Sequence, residues 1–294
     1  MKKNILLFQK NTRIISLLLI ILTVLINISC RKELDNYSIN YDKQIVINGF
    51  ITPDSIVKIN VSSTYPANVD NPNKNDVFIT DAICLLYENN LFIDTLNYTE
   101  KGFYICNFKP TVNKTYKLIV NVKGFNKISA TTTIPKKVNF SVNLERMSGY
   151  LRFDGKIIFK SPSEDSYFIF NILTKDNTYG YDDLQYHFYN PDMGKFVQNE
   201  CTINENIFTN TKFKNKTYSI NIKYLYVSSD NYTYFWLTTI NKDLYLNLKS
   251  KKSYKDVKDD IFAEPVNLYS NINGGLGIFA GYNRTQDSLF FASN

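Results

Sequence analysis

From residue 44 onward the chain is a succession of short stretches rich in Ile, Val, Phe, Tyr and Thr, separated by turn-forming residues, and in one of them, 56–62, apolar and polar side chains alternate. Strict alternation puts one set of side chains on each face of a pleated strand, so the pattern predicts half-buried β-strands. They fall at 44–51, 56–62, 82–87, 91–96, 102–108, 115–122 and 127–134. In the second of these, Val57, Ile59 and Val61 interleave with Lys58, Asn60 and Ser62. Thr52-Pro53-Asp54 closes the first strand, and a loop rich in Pro, Asn and Asp runs from Tyr65 to Asp76. Seven short strands at this spacing predict an immunoglobulin-like β-sandwich over 44–137, ended by Pro135 and the Lys136-Lys137 pair.

A second β-rich domain is predicted over 138–294, with strands at 138–144, 151–159, 167–174 and 217–227. The period then changes. Leu237, Ile240, Leu244 and Leu248 recur at spacings of three and four, which predicts one amphipathic helix near 230–249. Asp230 is a suitable N-cap for it, and the cluster Lys249, Lys251, Lys252, Lys255 and Lys258 suits the negative end of its dipole. Beyond the helix, Gly274, Gly275, Gly277 and Gly281 allow a tight turn and a strand lying close against a neighbour. A phosphate-cradling loop would have to open a helix, and no helical period follows. The fold class is therefore mainly β. Its 22 Tyr and 21 Phe, with many Ile, Val and Thr, are the residue types that pack well on a pleated surface.

The first 29 residues are of a different kind. Lys2, Lys3, Lys10 and Arg13 precede an apolar run from Ile14 to Ile26, and Asn27-Ile28-Ser29-Cys30 follows. A basic start, a short apolar stretch and a small residue before the cut describe a secretory signal. The run is short for a membrane span, which needs about 20 apolar residues. Cys30 behind the small Ser29 resembles the lipidation site of a bacterial lipoprotein, with the thiol acylated and residues 31–43 serving as a polar tether. This changes the charge balance. The chain has 34 basic and 27 acidic side chains, but residues 1–29 hold four of the basic ones and no acidic one, which leaves 30 against 27, or +3. No basic face with nucleic-acid motifs remains, so no nucleic-acid partner is expected.

Little in the composition suits catalysis. The single histidine, His187, has no Gly-x-Ser-x-Gly elbow with it, and neighbouring carboxylates such as Asp182-Asp183 and Asp259-Asp260 point to opposite faces of a strand. One histidine without Cys-x-x-Cys does not make a zinc site. Asp70, Asn71, Asn73, Asn75 and Asp76 offer oxygen ligands for calcium, but the run lacks the glycine and distal glutamate of an EF-hand, and Asn and Asp are ordinary turn formers. No cofactor and no enzymatic activity are expected. Cys84 and Cys106, on strands predicted to be neighbours, suit either a disulfide or two small buried thiols; with Cys201 the count after Cys30 is odd. The remaining candidate is recognition. Tyr179, Tyr181, Tyr186, Phe188 and Tyr189 crowd one segment, either as a binding surface for a sugar, peptide or transporter, or with half of the rings turned into a core.

Several stretches carry a family resemblance. They are Val46-Ile47-Asn48-Gly49-Phe50-Ile51-Thr52-Pro53-Asp54 near the start, Asp81-Ala82, Gly102-Phe103-Tyr104 and Ile128–Pro135. Near the end stand Phe262-Ala263-Glu264-Pro265-Val266-Asn267 and Ser270–Tyr282, the latter containing Asn273-Gly274-Gly275-Leu276-Gly277. Together, from about Lys43 to Phe291, they resemble the lipoprotein family catalogued as domain of unknown function 4249. The resemblance implies a Gram-negative cell-envelope lipoprotein, lipid-anchored at the outer membrane, that serves as a non-catalytic accessory or ligand-binding partner of a TonB-dependent nutrient transporter. The alternative is a structural or adhesive envelope protein. The family defines no catalytic residues to carry over.

Overall fold

A computed structural model describes residues 41–66, 77–147, 152–176, 180–184, 186–198, 206–227, 230–260 and 262–292. Residues 42–294 make one compact unit. The protein is mainly β, with two sheets and, among the described residues, one long helix.

The first seven strands are β1 (Ile45–Ile51), β2 (Val57–Ser63), β3 (Ile83–Glu88), β4 (Leu91–Tyr98), β5 (Phe103–Cys106), β6 (Thr115–Asn121) and β7 (Ile128–Thr133). Each expected strand is present, with ends shifted by one or two residues. Alternation decides their faces: in β2, Val57, Ile59, Val61 and Ser63 are buried while Lys58 is exposed. The β3–β4 hairpin turns on Asn89 and Asn90, whose φ angles of 48° and 67° are those of a two-residue turn matched to strand twist.

The second half contains β8 (Phe140–Arg146), β9 (Arg152–Lys160), β10 (Tyr167–Asp176), β11 (Gly180–Asp183), β12 (His187–Asn190), β13 (Lys195–Gln198), β14 (Ile207–Thr209), β15 (Thr217–Tyr226), β16 (Asn231–Ile240), helix α1 (Lys242–Val257) and β17 (Leu276–Phe291). A five-stranded sheet runs β13-β12-β15-β9-β8. The twelve-stranded sheet runs β11-β10-β16-β17-β1-β2-β5-β4-β3-β6-β7, with β14 on β10.

Strand β17 joins the two halves. Its first residues pair parallel with β1 (Ile47 with Gly277, Phe50 with Ala280), and the rest pair antiparallel with β16 from Tyr282 to Phe291. The glycines there are steric necessities. Gly277 has φ +106°, and a Cβ on it would stand 2.0 Å from the Ile47 carbonyl oxygen; one on Gly281 would stand 2.2 Å from that of Thr133. Asn271 holds the new strand in place, accepting from the Phe279 N–H at 2.9 Å and donating to its carbonyl at 2.8 Å.

The apolar interior divides near residue 137, while the sheet does not. One core gathers Ile47, Ile59, Leu86, Tyr116 and Leu118 with Phe279 from β17. A second gathers Phe168, Phe170, Phe188, Ile220 and Phe235. A third lies under the helix, where Leu244 and Leu248 cover Ile240, Ile278 and Ala280.

The helix expected near 230–249 is a correction. Residues 231–240 form strand β16, and the helix begins only at Lys242. The three- and four-residue spacing arises because Leu237 and Ile240 are buried at the end of a strand and Leu244 and Leu248 at the start of the helix. The β-branched and aromatic run Tyr-Thr-Tyr-Phe-Trp from Tyr232 favours the pleated state. Asp230 occupies a turn at φ 59°; the N-cap is Asn241, whose side chain accepts the Leu244 N–H at 3.0 Å. Lys249, Lys251 and Lys252 consequently lie within the helix, and Lys255 is the basic residue of its last turn.

Candidate recognition surface

The expected aromatic segment separates by face. Tyr186 and Phe188 are 1% and 0% exposed, and both pack on Phe170, at ring distances of 6.0 and 5.8 Å. They are core residues, a correction to their candidacy as ligand contacts; residues two apart share a face, and this face turns inward. Tyr189 is half-buried, edge-on to Phe196 at 5.6 Å. Tyr181 stands opposite Lys175 in the β10–β11 register. Tyr179, Cys30, Cys201 and the Asp70–Asp76 loop lie outside the described residues.

His187 packs edge-on against Tyr224 at 5.2 Å, with the Arg152 guanidinium over the same ring at 4.4 Å. The His187 contacts are aromatic, the setting of a packed side chain. Among the described residues no three His, Cys, Asp or Glu side chains gather to hold a metal.

Cys84 and Cys106 are free and buried, a correction to the pairing considered above. Strand β4 lies between β3 and β5, so the two cysteines are not on adjacent strands, and each thiol fills space in the first core. Burial pushes Cys84 up to about 12 and Cys106 up to about 11, so neither is a thiolate at neutral pH.

The aromatic surface lies on the outer face of β16 and β17. Alternation sends Thr233, Phe235 and Leu237 inward and leaves Tyr232, Tyr234 and Trp236 on the other side. Register then places Phe290 opposite Tyr232, Gln286 opposite Trp236 and Arg284 opposite Thr238. Tyr232 and Phe290 are 51% and 53% exposed, with rings 5.0 Å apart, and Tyr234 adjoins Tyr232 at 6.3 Å. Farther along, the Arg284 guanidinium stacks on Trp236 at 3.9 Å and approaches Tyr282 at 5.9 Å. The Trp236 indole N–H donates to the Gln286 side chain at 3.0 Å, and Arg284 Nε donates to Thr238 Oγ1 at 3.3 Å. At 3.3 Å per residue, the strip from Tyr232 to Thr238 is roughly 20 Å long. Rings with polar rims beside a guanidinium suit contact with sugar faces or with another protein's side chains.

The same outer face continues past α1 to a shallow depression of about 640 Å³ between Phe50, Phe78 and Phe103, where the Lys58 ammonium sits 4.0 Å above the Phe103 ring.

The profile of a family described as Domain of unknown function (DUF4249) matches residues 32–288. The chain belongs to that family. No curated protein matches it. Among solved structures, the Fcho1 Mu homology domain of Danio rerio, determined with a bound Eps15 peptide, aligns with 83% of this chain and 92% of that domain, at 9% identity and a TM-score of 0.20. So low a score carries no argument about fold or function. In this DUF4249 member the two stretches of the resemblance that lie farthest apart in sequence, Val46–Ile51 and Leu276–Gly281, are partners in one parallel ladder. The outer aromatic strip escaped the sequence reading because a helix through 230–249 scatters Tyr232, Tyr234 and Trp236 around its axis. The two-residue alternation Tyr232, Tyr234, Trp236 against Thr233, Phe235, Leu237 was the signal that identifies it.

Proposed function

We propose that this chain is a non-catalytic recognition lipoprotein of the cell envelope, lipid-anchored through Cys30 at the outer membrane, and an accessory of a TonB-dependent nutrient transporter. The observation that carries the reading is the outer strip of Tyr232, Tyr234, Trp236 and Phe290, an aromatic surface on a pair of long strands. Contiguous exposed apolar area of this kind marks contact sites, and aromatic residues are enriched in them. The basic start, apolar run and Ser29-Cys30 junction support the anchor, and residues 31–43 supply a polar tether. The strip is the surface offered to the transporter or to its ligand.

Mild detergent extraction of the tagged full chain, followed by affinity purification, tests this. A β-barrel transporter recovered in stoichiometric amount is the expected result. Its repeated absence, with the lipoprotein itself recovered intact, would leave the structural or adhesive role as the better account. Cys30→Ser should release the chain from the membrane fraction; retention of that variant in membranes would contradict the anchor.

A further inference from the structure

A cleft of about 1100 Å³ opens where the connection from β7 to β8, the loop between β9 and β10 and the junction of β16 with α1 come together. It differs from the aromatic strip in carrying charged side chains on its rim, over a floor that includes Ile134, Val138 and Ile240. Four exposed lysines, Lys136, Lys137, Lys160 and Lys242, stand on its rim against two acids, Glu164 and Asp165. Asp165 pairs with Lys214 at 2.5 Å, and Glu164 accepts from the neutral Ser163 hydroxyl at 3.2 Å and keeps its charge. Lys160 donates to the Asn215 carbonyl at 2.7 Å, so four ammonium groups face two carboxylates of which one is already paired. The surplus charge facing the cleft is therefore positive.

Two further features point the same way. The sixteen-residue helix α1 begins at the cleft, with its N-cap Asn241 and first residue Lys242 in the lining, so the positive end of its dipole adds to the lysines. The acid of its first turn, Asp243, is bound by the Tyr269 hydroxyl and the Asn271 amide. In the lining, Thr239 is 3% exposed and its hydroxyl has no hydrogen-bond partner. Its neighbours differ: Thr132 Oγ1 accepts from the Gly281 N–H and the Asn241 amide, and Thr238 Oγ1 accepts from Arg284. Buried polar groups are nearly always satisfied, so an unpartnered hydroxyl beside a cleft has room to take a hydrogen bond from a water or a bound group.

We infer that this cleft is a binding site for a small ligand bearing an oxyanion, a carboxylate or a phosphate, held by Lys136, Lys137 and Lys242 at the N-terminus of α1, with a polar atom of the ligand reaching Thr239. The volume is that of a ligand site and exceeds the needs of a single ion. The inference is independent of the aromatic strip and of the lipid anchor.

The test is titration calorimetry of the detergent-solubilised full chain with citrate and, separately, inorganic phosphate, at an ionic strength held constant with sodium chloride. Saturable binding of one or both is expected, and the probe that binds more tightly tells carboxylate from phosphate. Lys137→Gln with Lys242→Gln should weaken it at least tenfold. Thr239→Val, which keeps the shape and removes the hydroxyl, should raise the melting temperature of the ligand-free chain and weaken binding. Absence of saturable binding for both probes overturns the site, as does binding that the double lysine variant leaves unchanged. A lowered melting temperature for Thr239→Val, measured without ligand, would show the hydroxyl to be partnered and would remove it from the site.

Discussion

Arg284 lies diagonally across the β16–β17 ladder from Trp236 and covers its ring at 3.9 Å. A guanidinium over an indole contributes about 0.5–1 kcal/mol at an exposed site. Trp236 is the only tryptophan of the chain, so tryptophan emission reports the surroundings of this one ring. Arg284→Ala should shift the emission and lower stability in urea by about 1 kcal/mol. An unchanged emission spectrum would show that the stack is not maintained in solution.

The two buried cysteines give a chemical test of the first core. In the folded chain Cys84 and Cys106 should resist a thiol reagent at neutral pH, and both should react once denaturant is added. Because these two are free, a reducing agent should leave their protection unchanged. A native Cys84–Cys106 disulfide, seen by mass spectrometry of a non-reduced digest, would contradict this arrangement.

Two glycines at positive φ separate backbone strain from steric exclusion. Gly124 (φ +83°) has nothing within 4 Å of an added Cβ, whereas Gly277 (φ +106°) has the Ile47 carbonyl at 2.0 Å. Gly124→Ala should cost about 1 kcal/mol, from the backbone conformation alone. Gly277→Ala should cost more than about 4 kcal/mol, since the parallel ladder between β1 and β17 has to open to admit it. Comparable denaturation midpoints for the two variants would show that this close approach is absent.

Alkaline pH should loosen the loop that lies along α1. The Tyr269 hydroxyl is pushed up to about 12, first by burial and then by its hydrogen bond to Asp243 and the charge of that carboxylate. A raised value means that the folded chain holds the proton more tightly than the unfolded one. The associated stability is complete below the ordinary tyrosine value near 10 and is lost as pH rises through about 12. Tyr269→Phe should therefore lower stability at neutral pH and flatten the decline between these limits. An identical alkaline slope in the variant would contradict the assignment.

Much of this fold is legible in the sequence where local pattern and tertiary environment agree. Strand β2 shows it: Val57, Ile59 and Val61 alternate with polar residues because one face of the sheet is buried. The reading fails where two elements share one apolar spacing, as at Leu237, Ile240, Leu244 and Leu248, half strand and half helix. It also fails where burial depends on long-range pairing. Tyr186 fills a core while Tyr232 is half exposed, although both lie in aromatic segments; which face of such a segment turns inward is set by what packs on it. The parallel pairing of β1 with β17, more than 200 residues apart in sequence, is invisible to any local period. Its trace is Gly277, where a Cβ would strike the Ile47 carbonyl of β1.

In the proposed function the outer strip of β16 and β17 is the contact surface of an envelope accessory. It is tested most directly by comparing wild type with Tyr232→Ser plus Phe290→Ser in the detergent co-purification. Both side chains are more than half exposed, so the circular dichroism and melting temperature of the variant should match wild type. Wild type should bring down a β-barrel transporter in stoichiometric yield, and the double variant should lose at least nine-tenths of it, roughly 1.4 kcal/mol of binding. Equal recovery of the transporter by both proteins would contradict it.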